Sequence, residues 1–440
     1  VFRIASISKT LTAIGVMQCR DNGLLDLDDA VNKHLKGLRV DQPPGAPDVT
    51  IRHLLTHTSG IGELPRVKDI TSREMWGAGA PGCDPADVAA LYGGVLRTEV
   101  AAGSKWAYAN HGFAILGKLV EDVVGTPFAD HMREHVLDPL GMANTDFVRN
   151  ERVEDALATG HGWMFGRFRP GNDYDLPLLG AGAVMSSARD MARYARSLVR
   201  GGGNVLASTT LREMLSPQFA VDPRLATKMG LAFFLEQLGT HRAAGHTGNV
   251  PGFASSLLFA PDDGIGVVVL TNTGTTVGAP VLAGLVMRSV LGVPDKHHVA
   301  PRPALWSQLT GSFAPAPGFL TNFRAWQTTF GEVEVVVRHR RLVLRALSPI
   351  PALARGVELQ PVDEDDPYLF AMQLHGLEIP VAFGADDAGH VDRIAIGAPA
   401  NVAMYRRSRS RSSRRRLSIA ATGAAAGIVL RRVRARRAHA

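Results

Sequence analysis

The stretch Phe2–Leu25, FRIASISKTLTAIGVMQCRDNGLL, carries the reading of the fold. Ile7, Leu11, Ile14 and Met17 recur at helical spacing and Asn22-Gly23 is a stop signal, so the stretch predicts one helix with an apolar face. Ser6 and Lys9 stand three residues apart on its first turn, where such side chains share a face. A serine hydroxyl is a poor nucleophile unless a neighbour takes its proton. A lysine can do so when burial or nearby cations disfavour its ammonium form, and the positive end of the helix dipole acts in the same direction. Alone, Ser-x-x-Lys reads equally as a helix cap followed by a surface lysine.

Two further motifs change the weight of the first. KWAYANHGFAILGKLVE (Lys105–Glu121) holds Tyr108-Ala109-Asn110 directly before an amphipathic helix through Phe113, Leu116 and Leu119. A phenol and an amide one residue apart in a turn can both face a cleft, one moving protons and the other orienting polar groups. RAAGHTGNVPGFASSLLFAPDDGIGVVVLTN (Arg242–Asn272) holds His246-Thr247-Gly248 in front of a hairpin whose turn is Pro261-Asp262-Asp263-Gly264. A glycine-containing strand beside a cleft lets a substrate backbone approach, and its exposed N–H groups suit an oxyanion. Tyr108 also reads as a ring packed at a helix start, and His246 as a strand histidine with local hydrogen bonds.

Together the three motifs, in this order and with Tyr108 and His246 lying 102 and 240 residues after Ser6, resemble the class C β-lactamases. The D-Ala-D-Ala carboxypeptidases, D-aminopeptidases and family VIII-type carboxylesterases share that fold. IRHLLTHTSGI (Ile51–Ile61), DPLGMANTDF (Asp138–Phe147) and GAGAVMSSARDMARY (Gly180–Tyr194) are similar to the same group, the last with an expected capping box from Ser187 to Asp190. The resemblance covers residues 1 to about 292. It implies an α/β architecture of the β-lactamase/transpeptidase type: an antiparallel sheet flanked by helices, plus an all-helical region.

The resemblance also implies roles. Ser6 would form the acyl-enzyme, Lys9 would be its hydrogen-bonded base or base partner, and Tyr108 would be the second proton-transfer group. Asn110 would bind substrate or hold Lys9. His246, Thr247, Gly248 and Asn249 would line the substrate, with the N–H groups of Ser6 and Asn249 as oxyanion hole. No metal and no organic cofactor is implied. His57 and Ser59 in LLTHTSG are catalytic by residue type, but the resemblance makes this segment a structural loop. A departure lies at His246, where the β-lactamases and carboxypeptidases usually carry Lys. An imidazole with an ordinary pKa of ~6.5 is mostly neutral at pH 7, which weakens a carboxylate anchor and favours esters, or peptides read through another group. The leading expectation is a serine hydrolase acting on esters or amides of small or D-amino-acid-containing substrates. The alternative is a catalytically weak penicillin-binding sensor or pseudoenzyme of the same fold.

The rest of the chain divides by composition. Residues 293–303 are Pro-rich and polar and read as a linker. Residues 304–405 read as a β-rich accessory domain, which the resemblance likens to lipocalin-like modules. Val333, Val335 and Val337 fall on one face, and the chain turns back through Leu342 and Leu344. Residues 406–440 form a tail with twelve arginines and no Asp or Glu. The whole chain carries net charge +7, so the body is mildly acidic and nucleic acid is not expected as a partner.

Within the tail, Leu417–Leu430 is apolar, but fourteen helical residues span only about 21 Å, short of a ~30 Å hydrocarbon core. It reads either as a contact for an anionic membrane surface or as a disordered basic extension. Cys19 and Cys83 are too few for a disulfide framework and are expected to be free. The chain starts at Val1, close before Ser6, so a preceding segment with any export signal is expected. The resemblance favours a periplasmic, extracellular or membrane-associated location.

Overall fold

The computed structural model describes residues 1–62, 79–164, 166–275, 278–294, 299–315, 332–346, 348, 351–398 and 401–407. The tail from residue 408 onward, with its apolar interval, lies outside the described residues, as do residues 295–298 of the expected linker. Among the described residues no helix is long and apolar enough to cross a membrane.

The first half is built on a five-stranded antiparallel sheet of β1 (Lys228–Met229), β2 (Phe234–Leu238), β3 (His241–Val250), β4 (Phe253–Ala260) and β5 (Ile265–Thr271), joined in sequence order. Ala260 pairs with Ile265 across the expected turn at Pro261–Gly264. Alternation along β4 explains how both faces of this sheet are covered. Leu257 and Phe259 join the large core of the helical region, whereas Leu258 and Ala260 pack with Ala283 and Met287 of a C-terminal helix, Gly278–Val290.

The helical region centres on α1 (Ser8–Asp21) and α2 (Asn110–Val124). Ile7, Leu11, Ile14 and Met17 are fully buried, as are Phe113, Leu116 and Leu119. Asn22 caps α1, and Gly23 turns the chain away at φ +73°, a conformation open to glycine at no steric cost. A third helix, α3 (Ala188–Val199), is tied to α1 by a buried hydrogen bond from the Tyr194 hydroxyl to Thr10 Oγ1, 2.8 Å.

The expected capping box at α3 forms only by half. Ser187 accepts from the Asp190 N–H, but the Asp190 carboxylate turns instead to Asn144 N–H, Thr145 Oγ1 and Arg193. A buried carboxylate takes the stronger set of donors. Both cysteines are free, and burial pushes the Cys19 thiol up to about 11, which suits a packing role.

The second half forms a nine-stranded antiparallel sheet. Its strands are β6 (Gly311–Pro315), β7 (Val333–Arg338), β8 (Arg341–Ala346), β9 (Val357–Glu358), β10 (Gln360–Pro361), β11 (Leu369–Leu374), β12 (Leu377–Ala385), β13 (Val391–Ile396) and β14 (Val402–Arg406). The order is β9-β8-β7-β6-β14-β13-β12-β11-β10. Its two edge strands, β9 and β10, are separated in the chain by Leu359 alone, so the sheet curls into a nearly closed barrel. The expected hairpin is present: Val333 faces Ala346, and His339-Arg340 turn with positive φ at both residues, the primed geometry that matches strand twist. Val333 and Val335 enter the barrel core, but Val337, on the same face, is 48% exposed because it lies beyond the end of the core.

Candidate active site

Ser6 does not sit inside α1. It lies on a 3₁₀ turn, Ala5–Ile7, that runs into the helix, with Ala5 at φ +50°. Three hydrogen bonds hold this turn from different elements. Ile4 N–H donates to Val184 O at 3.0 Å, the Ile4 carbonyl accepts from Ser255 Oγ of β4 at 2.8 Å, and Ser8 Oγ accepts from Val184 N–H at 3.1 Å. The turn therefore presents Ser6 where the sheet meets the helical region.

Lys9, one turn on, is fully buried. Its Nζ donates to Ser6 Oγ at 3.1 Å, to Asn110 Oδ1 at 2.8 Å and to the Ala181 carbonyl. Nζ also lies 4.9 Å from the centre of the Tyr108 ring. Residues 6, 9, 108 and 110 thus meet in one place. The Ala181 carbonyl adds a backbone acceptor, which leaves no mark in a side-chain motif.

Tyr108 is buried with Trp106, Met229 and Phe234, and Ala398 of the C-terminal domain packs against the same cluster. His246 joins it, with ring centres 6.1 Å from Tyr108 and 5.3 Å from Phe234. Its Nδ1 lies 2.6 Å from the Thr247 carbonyl oxygen. A carbonyl only accepts, so Nδ1 bears the proton and is turned back to the strand's own backbone.

Ala244, His246 and Gly248 share the face of β3 turned to the helical region, and Thr247 and Asn249 alternate off it. The pairing with β2 ends at Phe234↔Gly245, so among the described strands none pairs with His246–Val250 on that side. Gly248 backs onto the Ile4 carbonyl, and Asn249 is exposed, opposite Ala254 on β4.

Two features add to the motif reading. Arg3, three residues before Ser6, is buried among acids: its Nη2 donates to Asp175 Oδ1 at 3.0 Å, to Asp173 Oδ1 at 3.1 Å and to the Tyr174 carbonyl, while Arg149 pairs with the same two carboxylates. Burial alone would raise the Asp175 carboxyl, but hydrogen bonds from Arg149, the Gly82 N–H and Arg3 hold it below its ordinary value. The second feature is His57, which is buried with its ring against Tyr108. Ser59 serves its own loop, accepting from Ile61 N–H. Among the described residues no cluster of three or more His, Cys, Asp or Glu side chains is arranged to hold a metal ion.

The Beta-lactamase family model matches residues 1–291. The chain belongs to the Beta-lactamase family. Penicillin-binding proteins are among the relatives it resembles in sequence. Penicillin-binding protein 4 of Amycolatopsis lactamdurans is 28% identical over 340 residues, covering 71% of this chain and 84% of that one. The octameric penicillin-binding protein homologue from Pyrococcus abyssi has a similar structure, with a TM-score of 0.57 at 22% identity over 91% of this chain and 87% of that one. A D-stereospecific amidohydrolase from Streptomyces sp. gives 0.50 at 24% identity over 62% and 82%. These two structural likenesses bear on the fold. The first spans both halves of the chain.

Proposed function

We propose that the protein is an active serine hydrolase that forms a covalent acyl-enzyme on Ser6 and cleaves esters or amides of small substrates, D-amino-acid-containing ones among them. One observation carries this reading: Lys9 Nζ lies 3.1 Å from Ser6 Oγ, away from solvent, with Asn110 and Ala181 as its other acceptors. A neutral amine keeps two N–H donors for Asn110 and Ala181 and turns its lone pair to the serine hydroxyl. Ser6 Oγ then adds to the carbonyl carbon as its proton passes to Nζ. The oxyanion is received by the N–H groups of Ser6 and Asn249. Tyr108 protonates the leaving oxygen or nitrogen as that bond breaks, and the Lys9 ammonium returns a proton to the phenolate. Water adds to the acyl ester, gives its proton to the same pair, and Ser6 leaves with a proton restored.

The substrate class follows from His246. Its Nδ1–H is committed to the Thr247 carbonyl and its ring packs against Tyr108 and Phe234, so an imidazole held to the strand stands where a lysine would offer a fixed cation. Substrates whose recognition depends on a carboxylate are disfavoured relative to simple esters and amides.

A fluorophosphonate probe, read by intact mass beside Ser6→Ala, tests the reading. One adduct on the parent protein and none on the variant is the expected result. An adduct that persists in Ser6→Ala sinks it. Labelling without multiple turnovers on any ester or D-amino-acid amide would favour a slow-acylating sensor instead.

A further inference from the structure

The segment that supplies His57 was expected to be a structural loop, and this one residue grips the Tyr108 turn from both sides. Its carbonyl accepts the Ala107 N–H at 2.9 Å and its Nδ1 accepts the Ala109 N–H at 3.1 Å. Between these two anchors the imidazole lies against the Tyr108 ring, centres 4.3 Å apart and planes 35° apart. Phe113 at 5.2 Å and Trp106 at 5.8 Å flank the same ring, and His57 is 1% exposed.

His57 also has φ +59°, a left-handed conformation uncommon outside glycine. Tertiary structure must over-determine such a residue for it to persist. We infer that His57 is the positioning residue for Tyr108, setting the phenol's place over Lys9 through both flanking backbone amides and through ring contact. This rests on the reading of Tyr108 as the group that protonates the leaving atom.

The chemistry of the clamp is specific. A backbone N–H only donates, so Nδ1 must present its lone pair and the neutral ring carries its proton on Nε2. A side chain that keeps the ring without the acceptor breaks half of the clamp. One that keeps an acceptor near Nδ1 and tolerates positive φ retains it, and asparagine meets both conditions.

The test compares His57→Phe and His57→Asn, each with and without Tyr108→Phe, on two butyrate esters. p-Nitrophenyl butyrate expels a leaving group that needs little protonation, and ethyl butyrate expels one that needs it fully. His57→Phe is expected to lower kcat on the ethyl ester by about tenfold or more, the scale of a misplaced catalytic group, with KM within about twofold. The loss on the nitrophenyl ester is expected to be smaller, and His57→Asn to recover most of the rate. In the Tyr108→Phe background, His57→Phe should cost nothing more.

Equal losses on both esters, or the same further loss without the phenol, would show a general packing role and overturn the inference. If His57→Phe does not fold, the His57→Asn cycle and its leaving-group dependence decide: a loss larger than about threefold on the ethyl ester that also persists in the Tyr108→Phe background overturns it. Full activity of Tyr108→Phe on ethyl butyrate would instead remove the reading of Tyr108, and the inference with it.

Discussion

A methyl group on Gly248 would fall 2.1 Å from the Ile4 carbonyl oxygen and 2.3 Å from Ser255 Oγ. Those two atoms are hydrogen-bonded to each other and hold the turn that carries Ser6. Neither is the far end of a flexible side chain, so the turn itself has to move. Gly248→Ala is therefore expected to destabilise the protein by about 1–3 kcal/mol, the range for forced overpacking. It should also slow fluorophosphonate labelling of Ser6 by more than it shifts Tm. Labelling at the parent rate would show that Ser6 does not depend on this close approach.

At the level of elements, the strand Phe2–Arg3 is fixed by charge as well as by its pairing with Met185–Ser186. Arg3 is 1% exposed, and the Asp175 side chain is largely enclosed. Asp175→Asn leaves the guanidinium with Asp173 and the Tyr174 carbonyl but removes its more enclosed carboxylate, and is expected to cost about 1–3 kcal/mol. Thermal unfolding at pH 7 checks this. The pH dependence has a definite sign. Against burial, Asp175 is held below the ordinary aspartate value of 3.8 by Arg149, Gly82 and Arg3. Its contribution is then complete above that value and lost as pH falls below it. The Tm gap between the parent and Asp175→Asn should stay constant from pH 7 to about 5 and narrow below 3.8. A gap that widens toward acid would contradict the arrangement.

On the scale of the whole molecule, the barrel meets the β-lactamase-like half through Val221–Thr227. Leu225 packs on Ala382 and Ala395. Arg224 pairs with Asp222 at 2.9 Å, reaches Asp366 at 3.2 Å and donates to the Phe383 carbonyl at 2.7 Å. The same contact brings Ala398 against the cluster that holds Tyr108. Arg224→Ala is expected to loosen this junction by about 1–3 kcal/mol, the value of hydrogen bonds to a charged group. Calorimetry would then separate one unfolding transition into two, and a single unshifted transition would show that the contact carries no stability.

The helices around the site were legible because their apolar residues repeat at 3.6, a period that short-range packing imposes on the chain itself. Ser6–Lys9 and Tyr108–Asn110 could be singled out as candidates because such chemistry depends on side chains at fixed local spacing. The β8–β7 turn at His339-Arg340 followed from alternation on either side. What sequence could not supply were partners that meet only when distant segments pack: the Ala181 carbonyl on Lys9, the Asp175 carboxylate on Arg3 and the His57 grip on Tyr108. A backbone acceptor is the same at every residue, and a buried ion pair resembles a surface one until burial is known. By itself the sequence determined the helices around the site, the family and a set of candidate side chains. Tertiary structure alone decided which of them touch, because hydrogen bonds at 3 Å depend on packing between elements that no local pattern encodes.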